Sequence, residues 1–248
     1  MNMAEINRHI EVEGGYNVRD LGGYPTESGG VTRSHVLIRA GTLDKLTPRG
    51  QRQLADYGVK TIVDLRDELE AHDFPDLFVP LTTYLNLPFF GETLSADETW
   101  VRHWEETPTL HELYHHYFDR CQPQIKAIIS AIVASEPGIL FHCYAGKDRT
   151  GLIAALLLRS VGVPAEIIAE DYERTSQHIQ HLIVEWREAA EKTGGSMLIV
   201  ERDSGSAVDT MFAALDYVQQ KYGGVASYLH LCGITDSQIV RLKALILE

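Results

Sequence analysis

Cysteine is scarce in this chain: three in 248 residues, Cys121, Cys143 and Cys232, at scattered positions. An odd and dispersed set argues against a disulfide framework and for a reducing compartment. Basic charge is short as well. Lys and Arg number 22 against 35 Asp and Glu, a formal net charge of −13, which counts against broad electrostatic steering to nucleic acid or to an anionic membrane. Any anionic ligand must be held by a local positive pocket. No apolar run is long enough to cross a bilayer, so no stable membrane insertion is expected. Met1 to Gly15 lacks the apolar core of a classical signal peptide, and the expected location is cytoplasmic, or secreted without such a peptide. There is no internal repeat, low-complexity tract or clear linker. What is present is a chain that is 44% hydrophobic, enough for a sizeable core, at a length that fits one α/β domain over 1–248, carrying an insertion. Oligomeric state leaves no trace in the sequence.

The chain is organised around His142-Cys143-Tyr144-Ala145-Gly146-Lys147-Asp148-Arg149-Thr150-Gly151. A short apolar run, Gly138 to Phe141, precedes it, and a long one, Leu152 to Leu158, follows. The ten residues therefore sit on a strand-to-helix turn. Such a turn gathers backbone N–H groups and the positive end of a helix around one point, which attracts a phosphate. Tyr144, Ala145, Gly146, Lys147, Asp148, Arg149 and Thr150 are the expected phosphate-binding residues. Cys143 stands where those amides favour a thiolate, a nucleophile. Arg149 offers a planar fork matching two phosphate oxygens. Gly146 permits positive φ where the loop curls, and the Thr150 hydroxyl is within reach of the thiolate. Lys147 adds a second cation. Asp148 has two readings: a structural ion pair with Arg19, Arg66 or another cation, or the general acid that protonates the leaving oxygen. Asp97 and Glu98 are the alternatives for that role. His142 is expected to orient the loop and tune the thiolate.

This string resembles the signature of the cysteine-dependent phosphatases, and Ala-Gly-Lys-Asp-Arg-Thr-Gly is similar to the atypical bacterial tyrosine and dual-specificity phosphatases. Asn17-Val18-Arg19-Asp20-Leu21-Gly22-Gly23, Asp64-Leu65-Arg66 with Glu70, and the Tyr222 to Gln238 stretch are further matches. The resemblance implies a protein-tyrosine-phosphatase-like α/β fold, with a mostly parallel central sheet flanked by helices and a helical insertion. It implies hydrolysis of phosphotyrosine proteins, extending to phosphoserine or phosphothreonine, or of phosphoinositides, with an acid from the loop itself and no cofactor or metal. Lys147 leans towards highly charged headgroups; the acidity of the chain leans against simple membrane docking. Arg19 and Asp20 are expected to pair and brace the loop. Arg66 is expected to pair with Asp64, Asp67 or Glu70, within reach of the phosphate.

The remaining expectations are local. Thr47-Pro48 opens a helix that Gly58 closes; strands cover Val36–Arg39, Val59–Leu65 and Thr82–Leu87. Ser95 with Glu98 reads as a capping box for a short helix over Ala96 to Trp104, with Trp100 and Trp104 packed inward. His111-Glu112-Leu113-Tyr114-His115 fits a zinc-peptidase pattern, but no third ligand is evident. Pro123 splits the helix that follows, and Ile125, Ile128, Ile129, Ile132 and Val133 form its core face. Helices are expected over Ala165–Thr175 and Gln177–Lys192, with Asp171, Tyr172, Glu173 and Arg174 on a solvated face. Ser196 to Ser206 reads as a loop. Besides the zinc peptidase, a phosphate-binding module without turnover and a thiol-based sulfur or arsenate transferase are the rival functions.

Overall fold

A computed structural model describes residues 8–77, 82–91 and 97–248. Among these residues the sheet has five strands: β1 (Arg19–Asp20), β2 (Leu37–Ala40), β3 (Thr61–Asp64), β4 (Thr83–Asn86) and β5 (Ile139–His142), in the order β1-β2-β5-β3-β4. Only β1 runs antiparallel to its neighbour. β5 lies at the centre, with Leu140 opposite Ile38 on one side and Ile62 on the other. Its four residues, Ile-Leu-Phe-His, are all buried, as a strand covered on both faces requires. Alternation divides them. Ile139 and Phe141 join the larger core with Leu37 and Val63, while Leu140 joins Ile38, Ile62 and Ala40 in the smaller one.

Helix α1 (Pro48–Tyr57) covers the smaller core through Leu54. It begins and ends as its caps dictate: the Thr47 side chain accepts from Gly50 N–H, Pro48 opens the first turn, and Gly58 closes it at φ 101°. α2 (Glu68–Asp73) follows β3, and α3 (Glu98–Glu106) precedes α4 (Leu110–Arg120) and α5 (Gln122–Ala134). The break at Cys121, next to Pro123, falls where the sequence places it, and Ile125, Ile128, Ile129, Ile132 and Val133 are all buried. The expected cap Ser95 and the helix start at Ala96 lie outside the described residues; Asp97 caps α3 instead, accepting from Thr99 and Trp100 N–H. Trp100 is buried, whereas Trp104 is only partly covered.

α6 (Asp148–Ser160) leaves the loop after β5 and is buried along almost its whole length. Then come α7 (Ala165–Glu173), α8 (Thr175–His178), α9 (Gln180–Thr193), α10 (Met197–Ser204), α11 (Val208–Tyr222), α12 (Val225–Cys232) and α13 (Asp236–Ile246). Two expectations need correction. Asp171 and Tyr172 are not on a solvated face; both are buried. Ser196 to Ser206 is not a loop but carries α10, capped by Ser196 accepting from Ile199 N–H. No residue of α10 is fully buried, so its sequence carries no core stripe to announce it. No described helix is long and apolar enough to cross a membrane.

Candidate active site

The loop from Cys143 to Lys147 leaves the carboxyl end of β5 and runs into the first turn of α6. Its shape is fixed from behind. The Tyr144 carbonyl accepts from Tyr16 Oη at 2.7 Å and from Thr42 N–H at 2.9 Å. Asn17 Nδ2 donates to the Ala145 carbonyl at 2.9 Å and to the Gly146 carbonyl at 3.1 Å. Arg39 Nη2 donates to the Gly146 carbonyl at 2.7 Å. In a planar trans peptide the C=O and N–H point opposite ways, and no cis bond occurs among the described residues. Anchoring three successive carbonyls therefore turns the N–H groups of Ala145, Gly146 and Lys147 away from the anchors. The unbonded first-turn N–H groups of α6 add to them.

Gly146 sits at φ 67°, and a Cβ there would lie 2.3 Å from the Ala40 carbonyl oxygen, so both the curl and the close approach to β2 require glycine. Asn17 holds φ 56°, a conformation Asn tolerates better than most residues, and its side chain thereby reaches the loop.

The loop faces a cleft of about 330 Å³ lined by Glu70, Cys143, Tyr144, Ala145, Asp148, Arg149, Trp186, Ile199, Val200 and Asp203. Cys143 and Arg149 thus share one cavity. Glu70 grips the Arg149 guanidinium with both oxygens, at 2.5 and 2.9 Å. One N–H from each terminal nitrogen is spent there, and the rest of the five-donor fork remains. Burial works against both charges, but the pairing outweighs it: Arg149 is raised and Glu70 is held below the usual carboxylate range. Negative charge on the Cys143 sulfur, when it is present, also favours the charged form of Arg149. Glu70 is held in turn, since its Oε2 accepts from Asp67 N–H at 3.1 Å.

Asp148 Oδ1 accepts from Tyr114 Oη at 2.5 Å and lies 3.1 Å from Lys147 Nζ, so its ion pair is with its neighbour in the loop, not with Arg19 or Arg66. The Lys147 ammonium is fully buried and donates to the carbonyls of Asp203 at 2.5 Å and Gly205 at 2.8 Å. It ties the end of α10 to the loop. Thr150 is buried, but its Oγ1 has no hydrogen-bond partner and makes no bond to the sulfur. Asp97, one alternative acid, caps α3 and does not line the cleft.

Below the loop, His142 Nδ1 lies 3.1 Å from the Cys143 carbonyl, and its Nε2 meets Asp76 at 2.8 Å as an ion pair off the line of a good hydrogen bond. Burial opposes its charge, but Asp76 and Asp64 raise its pKa overall. Arg66 pairs with Asp64 at 2.7 Å and with Asp76 at 2.9 Å, while Glu70 is taken by Arg149. Asp64, Asp76 and His142 form the one group among the described residues with metal-ligand proximity, and the Arg66 guanidinium already supplies its cation. His111, Glu112 and His115 form no such group: Glu112 accepts from Thr109 Oγ1 and His115 stacks on Tyr217 at 3.8 Å.

Arg19 and Asp20 do not pair. Arg19 Nε binds Asp171 at 2.8 Å and Arg19 Nη1 donates to Asn17 Oδ1, so its support of the loop passes through Asn17. Asp20 accepts from the N–H groups of Gly22 and His35 and from Tyr57 Oη.

A sequence profile of the tyrosine phosphatase family matches residues 10–248. The chain belongs to the tyrosine phosphatase family. Within it, the chain is 31% identical to a tyrosine-protein phosphatase of Nostoc commune over 214 residues, covering 83% of this chain and 72% of that one. It is 24% identical to the triple specificity protein phosphatase PtpB of Mycobacterium tuberculosis over 281 residues, covering 96% and 98%. Among solved structures, TpbA of P. aeruginosa in complex with phosphotyrosine shares 16% identity at a TM-score of 0.41, covering 83% of this chain and 91% of that one. The chain is a bacterial-type tyrosine or dual-specificity phosphatase enzyme with a mixed α/β fold.

The sequence could not have shown which groups hold the loop. Tyr16, Asn17, Arg39 and Asp171 act across more than a hundred residues of chain separation. Trp186 and Asp203 were also missed as cleft residues, because nothing local marks them.

Proposed function

We propose that the protein hydrolyses aryl phosphomonoesters, phosphotyrosine in proteins above all, through a cysteinyl-phosphate intermediate. The observation that carries this reading is the lining of the cleft, which among the described residues has a single cation, Arg149, beside Cys143, three carboxylates at Glu70, Asp148 and Asp203, and apolar walls at Trp186, Ile199 and Val200. One phosphate matches one guanidinium fork, and an aromatic ring suits the apolar walls. Lys147, the cation that would favour a polyphosphorylated headgroup, is spent on Asp203 and Gly205. A multiply charged phosphoinositide would meet carboxylates where it needs donors. The name of the tuberculosis relative, a triple specificity phosphatase, supports some range beyond phosphotyrosine.

The Cys143 thiolate attacks phosphorus and the bond to the leaving oxygen breaks. Asp148, in its acid form, gives that oxygen its proton; Tyr114 and Lys147 fix the orientation of the carboxyl. The loop amides and Arg149 hold the equatorial oxygens as charge moves. Water then attacks the phosphocysteine, the Asp148 carboxylate takes its proton, and the S–P bond breaks to return the thiolate and release inorganic phosphate. Nothing in these steps calls on a metal.

The test is hydrolysis of para-nitrophenyl phosphate with chelator present. Activity should persist with chelator, be blocked by vanadate and be lost in Cys143→Ser. Activity unchanged in Cys143→Ser would sink the reading. Phosphotyrosine peptides run beside phosphoinositides settle the substrate: the peptide should have the higher kcat/KM, and the opposite order would overturn the aryl preference.

A further inference from the structure

Behind the loop, two guanidiniums share one carboxylate. Arg19 Nε reaches Asp171 Oδ1 at 2.8 Å and Arg39 Nη1 reaches Asp171 Oδ2 at 2.6 Å, and all three side chains are at most 2% exposed. The third partner, Tyr24 Oη, donates to Asp171 Oδ1 at 2.8 Å and brings no charge. Burial and the neighbouring Arg19 both disfavour the charge on Arg39, while Asp171 favours it. Arg39 Nε is buried with no hydrogen-bond partner. Its other terminal nitrogen donates to the Gly146 carbonyl at 2.7 Å. Excess positive charge in a buried place is costly unless an anion balances it, and the peptide that Arg39 holds belongs to the loop that would cradle one.

We propose that Arg39 is a positioning residue for the oxyanion, turning the Gly146–Lys147 peptide so that its N–H faces the cleft and lending the cradle one buried positive charge that Asp171 does not neutralise. This rests on the reading of the loop as a phosphate site. The substrate anion is then the missing counter-charge of the Arg19–Asp171–Arg39 group. Arg39 touches neither substrate nor sulfur; it acts through Gly146.

The experiment measures tungstate binding by calorimetry at low salt in a Cys143→Ser parent, so that no covalent bond to sulfur contributes. Arg39→Met should weaken tungstate by on the order of tenfold, the scale of one unit charge acting through the protein. Arg39→Lys, which keeps the charge and loses the fork, should lose less. Asp171→Asn removes the anion and leaves both cations, so tungstate should bind at least as tightly as to the parent. A purely structural role predicts the reverse, with Asp171→Asn weakened as much as Arg39→Met. That result would overturn the proposal, as would an Arg39→Met variant within about twofold of the parent or equal losses in the Lys and Met variants. Should Arg39→Met fail to fold, Arg39→Lys and Asp171→Asn still carry opposite predictions. A parent that binds no tungstate would instead overturn the phosphate-site reading itself.

Discussion

The cleft has two walls built on different principles. The inner wall, Cys143 to Arg149, is the end of a central strand and the start of a buried helix, and its carbonyls are tied down by Tyr16, Asn17, Arg39 and Thr42. The outer wall is α9 and α10. α10 buries none of its residues fully and leaves Leu198 84% exposed. Polar clasps attach it: Lys147 to the carbonyls of Asp203 and Gly205, and Arg202 Nη1 to the carbonyls of Trp104 and Thr107, each at 2.7 Å. The Arg202 guanidinium also lies over the Trp104 ring, 4.8 Å from its centre. The inner wall is set before substrate arrives. The outer wall owes its place to a few buried donors, and Lys147 belongs to both.

The two walls differ most sharply at Arg149. Arg149→Lys keeps the charge but cannot grip Glu70 and phosphate together, and kcat should fall by roughly 10²–10³, the scale of losing a transition-state donor. A loss under about tenfold would mean that the inner wall does not depend on the fork. Asp148→Asn comes next. With phenyl phosphate, a poor leaving group, the rate should drop by about 10²–10⁴, and with para-nitrophenyl phosphate by far less. Equal losses on the two substrates would remove Asp148 from the proton-donor role.

Lys147→Met tests the outer wall. It strands two buried carbonyls, each costing about 1–3 kcal/mol when unsatisfied. Hydrogen exchange along 197–204 should speed up, and KM should rise more than kcat falls. Exchange left unchanged there would show that α10 is held by something other than this clasp.

The smallest effect concerns pH. His142 is raised by Asp76 and Asp64 against the pull of burial. A basic group raised on folding contributes stability in full below its free value of about 6.5, and loses it as pH climbs through the folded value. Thermal stability should therefore decline more steeply in the wild type than in Asp76→Asn as pH rises above the free histidine value of about 6.5. Parallel curves would show that Asp76 does not stabilise the His142 charge.

The inner wall was largely legible in the sequence, because its chemistry is local. A strand, a glycine that must take positive φ and a helix start follow one another within a dozen residues. Pro48, Gly58 and the break near Pro123 were legible for the same reason. The outer wall was not. α10 has no apolar stripe to separate it from a loop, and its anchors come from Lys147 and from the end of α3. The buried ion pairs were only half readable. Arg19 and Arg66 announce charges that need partners, but the sequence offers Arg19 its neighbour Asp20 and leaves Asp171 on a solvated face until the fold brings α7 beneath β1 and β2. Lys147 misled in the other direction: a cation beside a phosphate loop suggests a ligand contact, and the fold spends it on backbone carbonyls.

The most direct test of the account is acid-quench mass spectrometry during turnover of an aryl phosphate. A phosphate adduct should appear on the peptide carrying Cys143, form and decay at rates consistent with kcat, and be absent from the peptides carrying Cys121 and Cys232. Full-rate turnover with no adduct at Cys143 would contradict it.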